Sequence, residues 1–440
     1  MNSHFALARA PRYAIADARI LASSGAGPAG SLDHEGFIRA DIVVEAGGIA
    51  AVTPAGASAL GDLPRLPLAG RIVLPPFVDA HTHLDKCHIW PRAPNPTGAF
   101  AEARDAVAAD RGSHWSAADV ARRMDFALRC AYARGTRAVR THIDSLGPQI
   151  GVSWPVVGAM RERWRGRIDV QATPLFPIDS AFDDAHMADI EAMIEAHGSK
   201  LLGAVTFMVP RLREAIDRLF LLAARKGWDL DFHVDETHDP AACSLDAIAR
   251  ATIDSRFAGR VLVGHCCSLT RRDQGERERA IELVARAGLS VVSLPMCNMF
   301  LQDRQEGRTP RWRGVTAFHE LKTAGVPVMI ASDNVRDPFY AYGDLDMLEV
   351  WREGVRILHL DYPFAAWAPT VFATPASAMG IEPAALSVGA PADMILTRAR
   401  DFTELFARPH SDRTVLRQGR PVDEAPPDYD ELDDLEGFAP

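Results

Sequence analysis

His81 and His83 stand one residue apart in Phe77–Lys86, "FVDAHTHLDK", where an apolar run gives way to polar residues. In an extended strand, residues i and i+2 point to the same side, so the two imidazoles aim at one place. Two converging imidazoles at a strand end make half of a site for a borderline divalent metal. The alternative is a pair of solvated loop histidines. Further along, His142 and Asp144 close "RAVRTHID", Gln171 sits in "DVQATPLFP", and His233 and Glu236 close "LDFHVDE". His265 ends "VLVGH" and Asp333 ends "VPVMIASD". One strand histidine is commonly a core residue; a series of such residues, each ending its own apolar run, is not.

The runs themselves must do the positioning. Strands are expected near 72–80, 137–144, 169–177, 201–207, 230–236, 261–266, 290–295 and 326–333. Their apolar residues are continuous rather than alternating, as in parallel strands buried on both faces. Helical stretches lie between them. The clearest is 117–134: Ser116 caps it, Asp119 completes a capping box, and Gly135 stops it. Val120, Met124, Leu128 and Ala131 then share one stripe. Eight strand-plus-helix units predict a (β/α)8 TIM barrel, whose C-terminal strand ends form the active-site face. The expected boundaries are 71–383 for the barrel, with a smaller β-sandwich built from 1–70 and 384–440. The acidic tail around Asp428–Glu436 is expected to be solvated.

On that face, His81, His83, His233 and Asp333 would hold one ion and leave a position open for water. Three imidazoles and a carboxylate suit iron or zinc, and such an ion brings the pKa of bound water to about 7. Asp333 could accept the water's proton while touching the metal. Glu236 is placed to carry that proton to a substrate, and His265 to stabilise the charge that develops.

Bulk properties narrow the class. The 440 residues suit a barrel of about 250 residues plus a second domain. A formal net charge of −10 argues against nucleic acid or anionic membrane as a partner. No apolar stretch approaches the roughly 18 residues that span a bilayer, and the N-terminus lacks a signal peptide's apolar core. A soluble cytoplasmic protein is therefore expected. The six cysteines form no CxxC pair, so neither a zinc knuckle nor a disulfide framework is expected.

The ordered motifs "VLPPFVDAHTHLDK", "VRTHID", "FHVDE", "GH", "ASDNVRDPFYAYGD" and "GAPADMIL" resemble the amidohydrolase superfamily, and within it the bacterial cytosine deaminases. The resemblance runs over most of the chain. It implies His81, His83, His233 and Asp333 as ligands of one Fe2+ or Zn2+ ion, Glu236 as the acid that protonates a ring nitrogen, and His265 as the orienting histidine. It further implies Gln171 as a substrate-binding amide. The implied reaction is deamination of cytosine or a related amino-azaheterocycle, a nucleobase-like small molecule, with release of ammonia. Barrel enzymes of this kind are often homo-oligomers. Two-metal relatives bridge their ions with a carboxylated lysine at the end of the fourth strand. Here that strand ends "TFMVP" and Lys200 lies at its other end, which favours one metal.

Two positions depart from the cytosine deaminases. Asn334 stands where they carry aspartate, and Phe339 where they carry tryptophan. Both would face the substrate, so 5-methylcytosine, isocytosine or another amino-azaheterocycle fits nearly as well as cytosine. "SDNVRD" looks like the branch that hydrolyses alkylamino-triazines, the alternative reading along with cyclic amides; that branch typically replaces the catalytic glutamate with histidine. The HxE/PCxxC deaminases are excluded because no PCxxC occurs. His142, Asp144 and Lys86 remain open between structural and functional roles. Cys266 and Cys267 are expected to be packing residues, and Asn298, Leu301 and Gln302 to shape either the pocket or a subunit contact. His88, His114, His186 and His197 are expected to be solvated.

Overall fold

The computed structural model describes residues 10–25, 31–56, 60–408 and 413–436. Its strands, in chain order, are β1 (Arg12–Leu21), β2 (Phe37–Glu45), β3 (Gly48–Pro54), β4 (Arg65–Pro67), β5 (Ile72–Leu74), β6 (Phe77–Thr82), β7 (Thr136–Asp144) and β8 (Asp169–Leu175). There follow β9 (Leu201–Val205), β10 (Asp229–Val234), β11 (Val261–His265), β12 (Ser290–Ser293), β13 (Val328–Ile330), β14 (Met394–Thr397), β15 (Arg413–Arg417) and β16 (Arg420–Pro421). Two compact units result: Met1–Val78, Ala131–Arg137 and Met347–Pro426 form one, and Asp79–Cys130, Ala138–Asp346 and Pro427–Pro440 the other. Among the described residues, no helix is long and apolar enough to cross a membrane.

The first unit holds one mixed sheet in the order β16-β15-β14-β5-β1-β2-β3, with β4 also on β1. Both chain ends contribute, but to one hydrogen-bonded sheet rather than two facing ones. The reason is β1. It pairs along one edge with β2, and along the other first with β4 and then with β5. A register shift between Ile15 and Ala18 bends it between those partners. Ile15, Ile20, Ile42, Val44, Val73 and Leu396 make its core. The expected strand at 72–80 is split, because Pro75 and Pro76 offer no N–H to a ladder.

Gly135 ends the helix Ala117–Ala133 with φ +99°. A Cβ there would lie 2.6 Å from Ile395 Cδ1. Gly135→Ala therefore combines left-handed strain with overpacking and is expected to cost roughly 1–3 kcal/mol, read as a lower urea midpoint at unchanged m-value.

The second unit carries the parallel strands, in the orders β6-β7-β8 and β13-β12-β11-β10-β9. Single parallel bridges, Pro177 to Val205 and Thr82 to Asp333, link the edges of the two sheets. At the start of the helix Ala117–Ala133, the Asp119 N–H donates to Ser116 Oγ at 3.2 Å. The expected return bond is replaced: Ser116 N–H goes to the carbonyl of His114, while Arg92 and Arg123 hold the Asp119 carboxylate.

One expectation of solvent exposure fails in this unit: His88 is buried, its ring edge-on to Phe126 at 4.8 Å. In the acidic tail Asp428, Asp430, Glu431 and Asp434 are exposed as expected, but the segment is anchored: Leu432 is buried against Phe126 and Cys130, and the Arg336 guanidinium lies 4.3 Å over the Tyr429 ring. Asp434 and Glu431 pair with Arg122 and Arg129, but exposed pairs add little and the apolar contact does most of the anchoring.

Candidate active site

Four side chains from three strand ends meet at one point. His81 lies on β6 and His83 just beyond it, His233 lies on β10, and Asp333 follows β13. The Nε2 atoms of His81 and His233 are 3.2 Å apart, and those of His83 and His233 are also 3.2 Å apart. Asp333 Oδ1 is 3.2 Å from His83 Nε2 and 3.5 Å from His81 Nε2. All four residues are buried. Burial, reinforced by neighbouring positive groups, holds the three imidazoles well below the usual histidine range, so all are neutral.

Three neutral imidazoles cannot satisfy one another here, because His233 Nε2 faces two other nitrogens and can carry at most one proton. A cation resolves the convergence. Nitrogens about 2.0–2.1 Å from an ion and about 90–110° apart would be separated by about 2.9–3.4 Å, which brackets the observed spacing. The donor set thus fits a single divalent ion. Lys200, exposed and preceding β9, is at the wrong end of its strand to bridge a second one.

Local structure explains the convergence. Ser332 donates its backbone N–H to Asp79, which lies two residues before His81 on the same side of β6. The next N–H, of Asp333, donates to the His81 carbonyl at 2.9 Å. Asp333 and His265 both leave their strands in the left-handed region, at φ +65° and +68°. Such strain costs of order 1–3 kcal/mol per residue and persists where surrounding contacts impose it. Gly264 packs tightly beside His81: a Cβ there would lie 3.0 Å from His81 Cε1, so a side chain would push on that ring.

Beside the cluster, Glu236 and His265 face each other, Oε1 to Nδ1, at 3.4 Å. Asn298 sits between them: its Nδ2 is 3.1 Å from Glu236 Oε1 and 3.0 Å from His265 Nδ1. Burial pushes the Glu236 carboxyl well above its usual range, and the nearby Asp333 carboxylate adds to this. Burial also lowers His265 to about 3. The contact between the two is therefore no ion pair. Glu236 is suited to hold a proton and His265 to stay neutral. A cavity of about 210 Å³ opens here, lined by Glu236 and His233 with Phe100, Thr206, Phe207 and Met208.

Gln171 is half-buried on β8, in register with Arg140 and two residues before the level of His142. Its carbonyl oxygen accepts from Arg140 Nε and Nη2 at 3.0 and 2.8 Å, and Arg140 Nη1 reaches Asp231 at 2.8 Å. His142 lies above this layer, its ring 4.0 Å from that of His81 and its Nε2 3.8 Å from Asp231. Lys86 is buried and ion-paired: its Nζ is 2.6 Å from Asp144, whose other oxygen takes Arg111. Asn334 is buried and donates to Asp337 at 2.6 Å. Phe339 packs edge-on to Phe100 at 5.5 Å. Cys266 and Cys267 are buried, consistent with packing. Sequence reasoning passed over Asp79, Arg140 and Asp231. The period-2 signal was available, since Arg140, His142 and Asp144 alternate inward along β7.

Residues 156–423 match the Amidohydrolase family. The chain is 50% identical over 429 residues to a pterin deaminase of Rhizobium rhizogenes, covering 97% of this chain and 98% of that protein. Among solved structures, 5-methylcytosine deaminase from Klebsiella pneumoniae liganded with 5-fluorocytosine superimposes with TM-score 0.80 at 22% identity, covering 94% of this chain and 98% of that one. N-isopropylammelide isopropylaminohydrolase from Burkholderia multivorans gives TM-score 0.74 at 26% identity, with the same coverage of 94% and 98%. The architecture is thus TIM-barrel-like α/β.

Proposed function

Because the chain belongs to the amidohydrolase family, we propose that it is a metal-dependent hydrolytic deaminase whose substrate carries the 2-amino-4-oxopyrimidine ring of a pterin. The observation that carries this reading is Glu236, a glutamate in the wall of a small cavity beside the ligand cluster, whose carboxyl burial pushes well above its usual range. The 50% identity to a pterin deaminase supports the choice of ring. That ring is an isocytosine, so the amino-bearing carbon lies between two ring nitrogens. Cytosine, the substrate implied by the sequence motifs, presents its amine at a different carbon.

On this reading the strands of the second unit close as a (β/α)8 barrel, and both chain ends supply a smaller β domain. His81, His83, His233 and Asp333 hold one ion, iron or zinc. When bound, it supplies hydroxide at neutral pH by acidifying a water. The protein's own groups do the rest. Asp333 takes the proton that the water gives up. Glu236 protonates a ring nitrogen next to the amino-bearing carbon, which makes that carbon electrophilic. His265 stabilises the charge on the attacking oxygen; Glu236, left as a carboxylate, takes the proton of the hydroxyl that has added to the carbon and hands it to the amine, which departs as ammonia, and the proton held by Asp333 then restores the Glu236 acid. Phe100, Phe207 and Met208 exclude water from the ring. Phe339 buttresses Phe100, and Asn334 shapes the same wall through Asp337. Gln171 can serve a substrate only through its amide N–H groups, because Arg140 occupies its carbonyl.

Hydrolysis of an N-alkylamino-triazine is the second reading, favoured by the likeness to the N-isopropylammelide enzyme and by Asn334. An assay on zinc- or iron-loaded protein separates the two. Pterin is expected to release ammonia with kcat/KM at least about tenfold above cytosine, with isocytosine between. Isopropylamine from N-isopropylammelide, with no ammonia from any pyrimidine or pterin, would overturn the deaminase reading.

A further inference from the structure

The structure assigns Asn298 a role as a positioning residue: its two amide N–H groups fix the proton of Glu236 on Oε2 and the proton of His265 on Nε2. The inference rests on the catalytic roles given above to Glu236 and His265. An amide nitrogen only donates. With Nδ2 at 3.1 Å from Glu236 Oε1 and 3.0 Å from His265 Nδ1, both of its hydrogens are used, and both partner atoms must be acceptors. A neutral imidazole that accepts at Nδ1 carries its hydrogen on Nε2, which has no hydrogen-bond partner among the described residues. A protonated Glu236 that accepts at Oε1 carries its hydrogen on Oε2.

The backbone holds Asn298 rigidly for this. It lies in the helix Pro295–Leu301, directly after β12, with its N–H on the Leu294 carbonyl and its own carbonyl taken by Gln302 N–H, both at 2.9 Å. The residue is fully buried, and its Oδ1 has no hydrogen-bond partner among the described residues. Asn298 thus links the acid and the orienting histidine, so neither can change its protonated atom independently of the other.

Ring 15N shifts of histidine-labelled, zinc-loaded protein test this without turnover, with the His265 signal assigned by its loss in His265→Asn. An Nε2–H tautomer is expected for His265, shifting toward Nδ1–H in Asn298→Asp, whose carboxylate only accepts. An Nδ1–H tautomer in the unaltered protein would overturn the inference, and this reading does not depend on the Asn298 variants folding. Kinetically, Asn298→Ala is expected to lower kcat for pterin by at least about tenfold with KM within about threefold and with metal content unchanged. In a Glu236→Gln background the same change is expected to add little, because both act on one proton. Full kcat in Asn298→Ala, beside a collapsed kcat in Glu236→Gln, would remove Asn298 and leave the deaminase reading standing. Full kcat in Glu236→Gln would instead remove the acid, and the role of Asn298 with it.

Discussion

Glu236→Gln is expected to retain its metal and lose roughly 10²- to 10⁴-fold in kcat, the range for removing a general acid or base. The substitution conserves shape and keeps an acceptor for Asn298, so the pocket should stay intact. It removes only the group that can hand a proton to the ring nitrogen and the leaving amine. KM should move little, because the loss falls on the transition state rather than on ground-state binding. Steady-state kinetics with metal analysis on the same sample checks both halves. A variant that keeps near-normal turnover would contradict the assignment of Glu236. One that loses its metal would show that Glu236 supports the ligands instead.

His83→Ala is expected to lose metal and activity together. His83 Nε2 stands 3.2 Å from both His233 Nε2 and Asp333 Oδ1, so its removal opens one side of the donor set and leaves Asp333 buried with less compensation. Burial pushes Asp333 up to about 7 in the metal-free site, and a bound cation reverses that shift. Metal binding should therefore stabilise the unaltered fold, by about 4 kcal/mol at a free metal concentration a thousand times Kd. Chelation should lower the Tm of the unaltered protein and leave that of His83→Ala unmoved. Full activity after complete metal removal would end the proposed mechanism.

On the proposed mechanism the two variants are expected to fail in different ways, because the site would have two layers. The ligand layer is electrostatic: neutral imidazoles and a carboxylate converge on one point, and losing any one weakens all. The proton layer of Glu236, His265 and Asn298 tolerates substitution structurally, but its chemistry depends on which atoms carry hydrogen.

Much of this was legible in the chain. Strand residues alternate sides, so His81 with His83, and Arg140 with His142 and Asp144, declare which way they point before any fold is known. Continuous apolar runs identify strands buried on both faces. The β/α alternation places the ends of those strands on one rim, and the motif order carries the family resemblance. Local rules of this kind act over a few residues, and they survive folding because tertiary contacts agree with them.

What only the tertiary structure decided lies in contacts between residues far apart in sequence. Gln171 reads as an amide with both ends on offer until Arg140, from the neighbouring strand, takes its carbonyl. The acidic tail reads as solvated throughout until Leu432 finds Phe126. Asn298 reads as one polar residue in a short helix until it lies within hydrogen-bond distance of both Glu236 and His265. A side chain's type and period set its direction, but its partner depends on where another stretch of chain arrives. Periodicity carries no information about that, because pairing a donor with an acceptor is a matter of distances of about 3 Å, which packing of the whole chain sets.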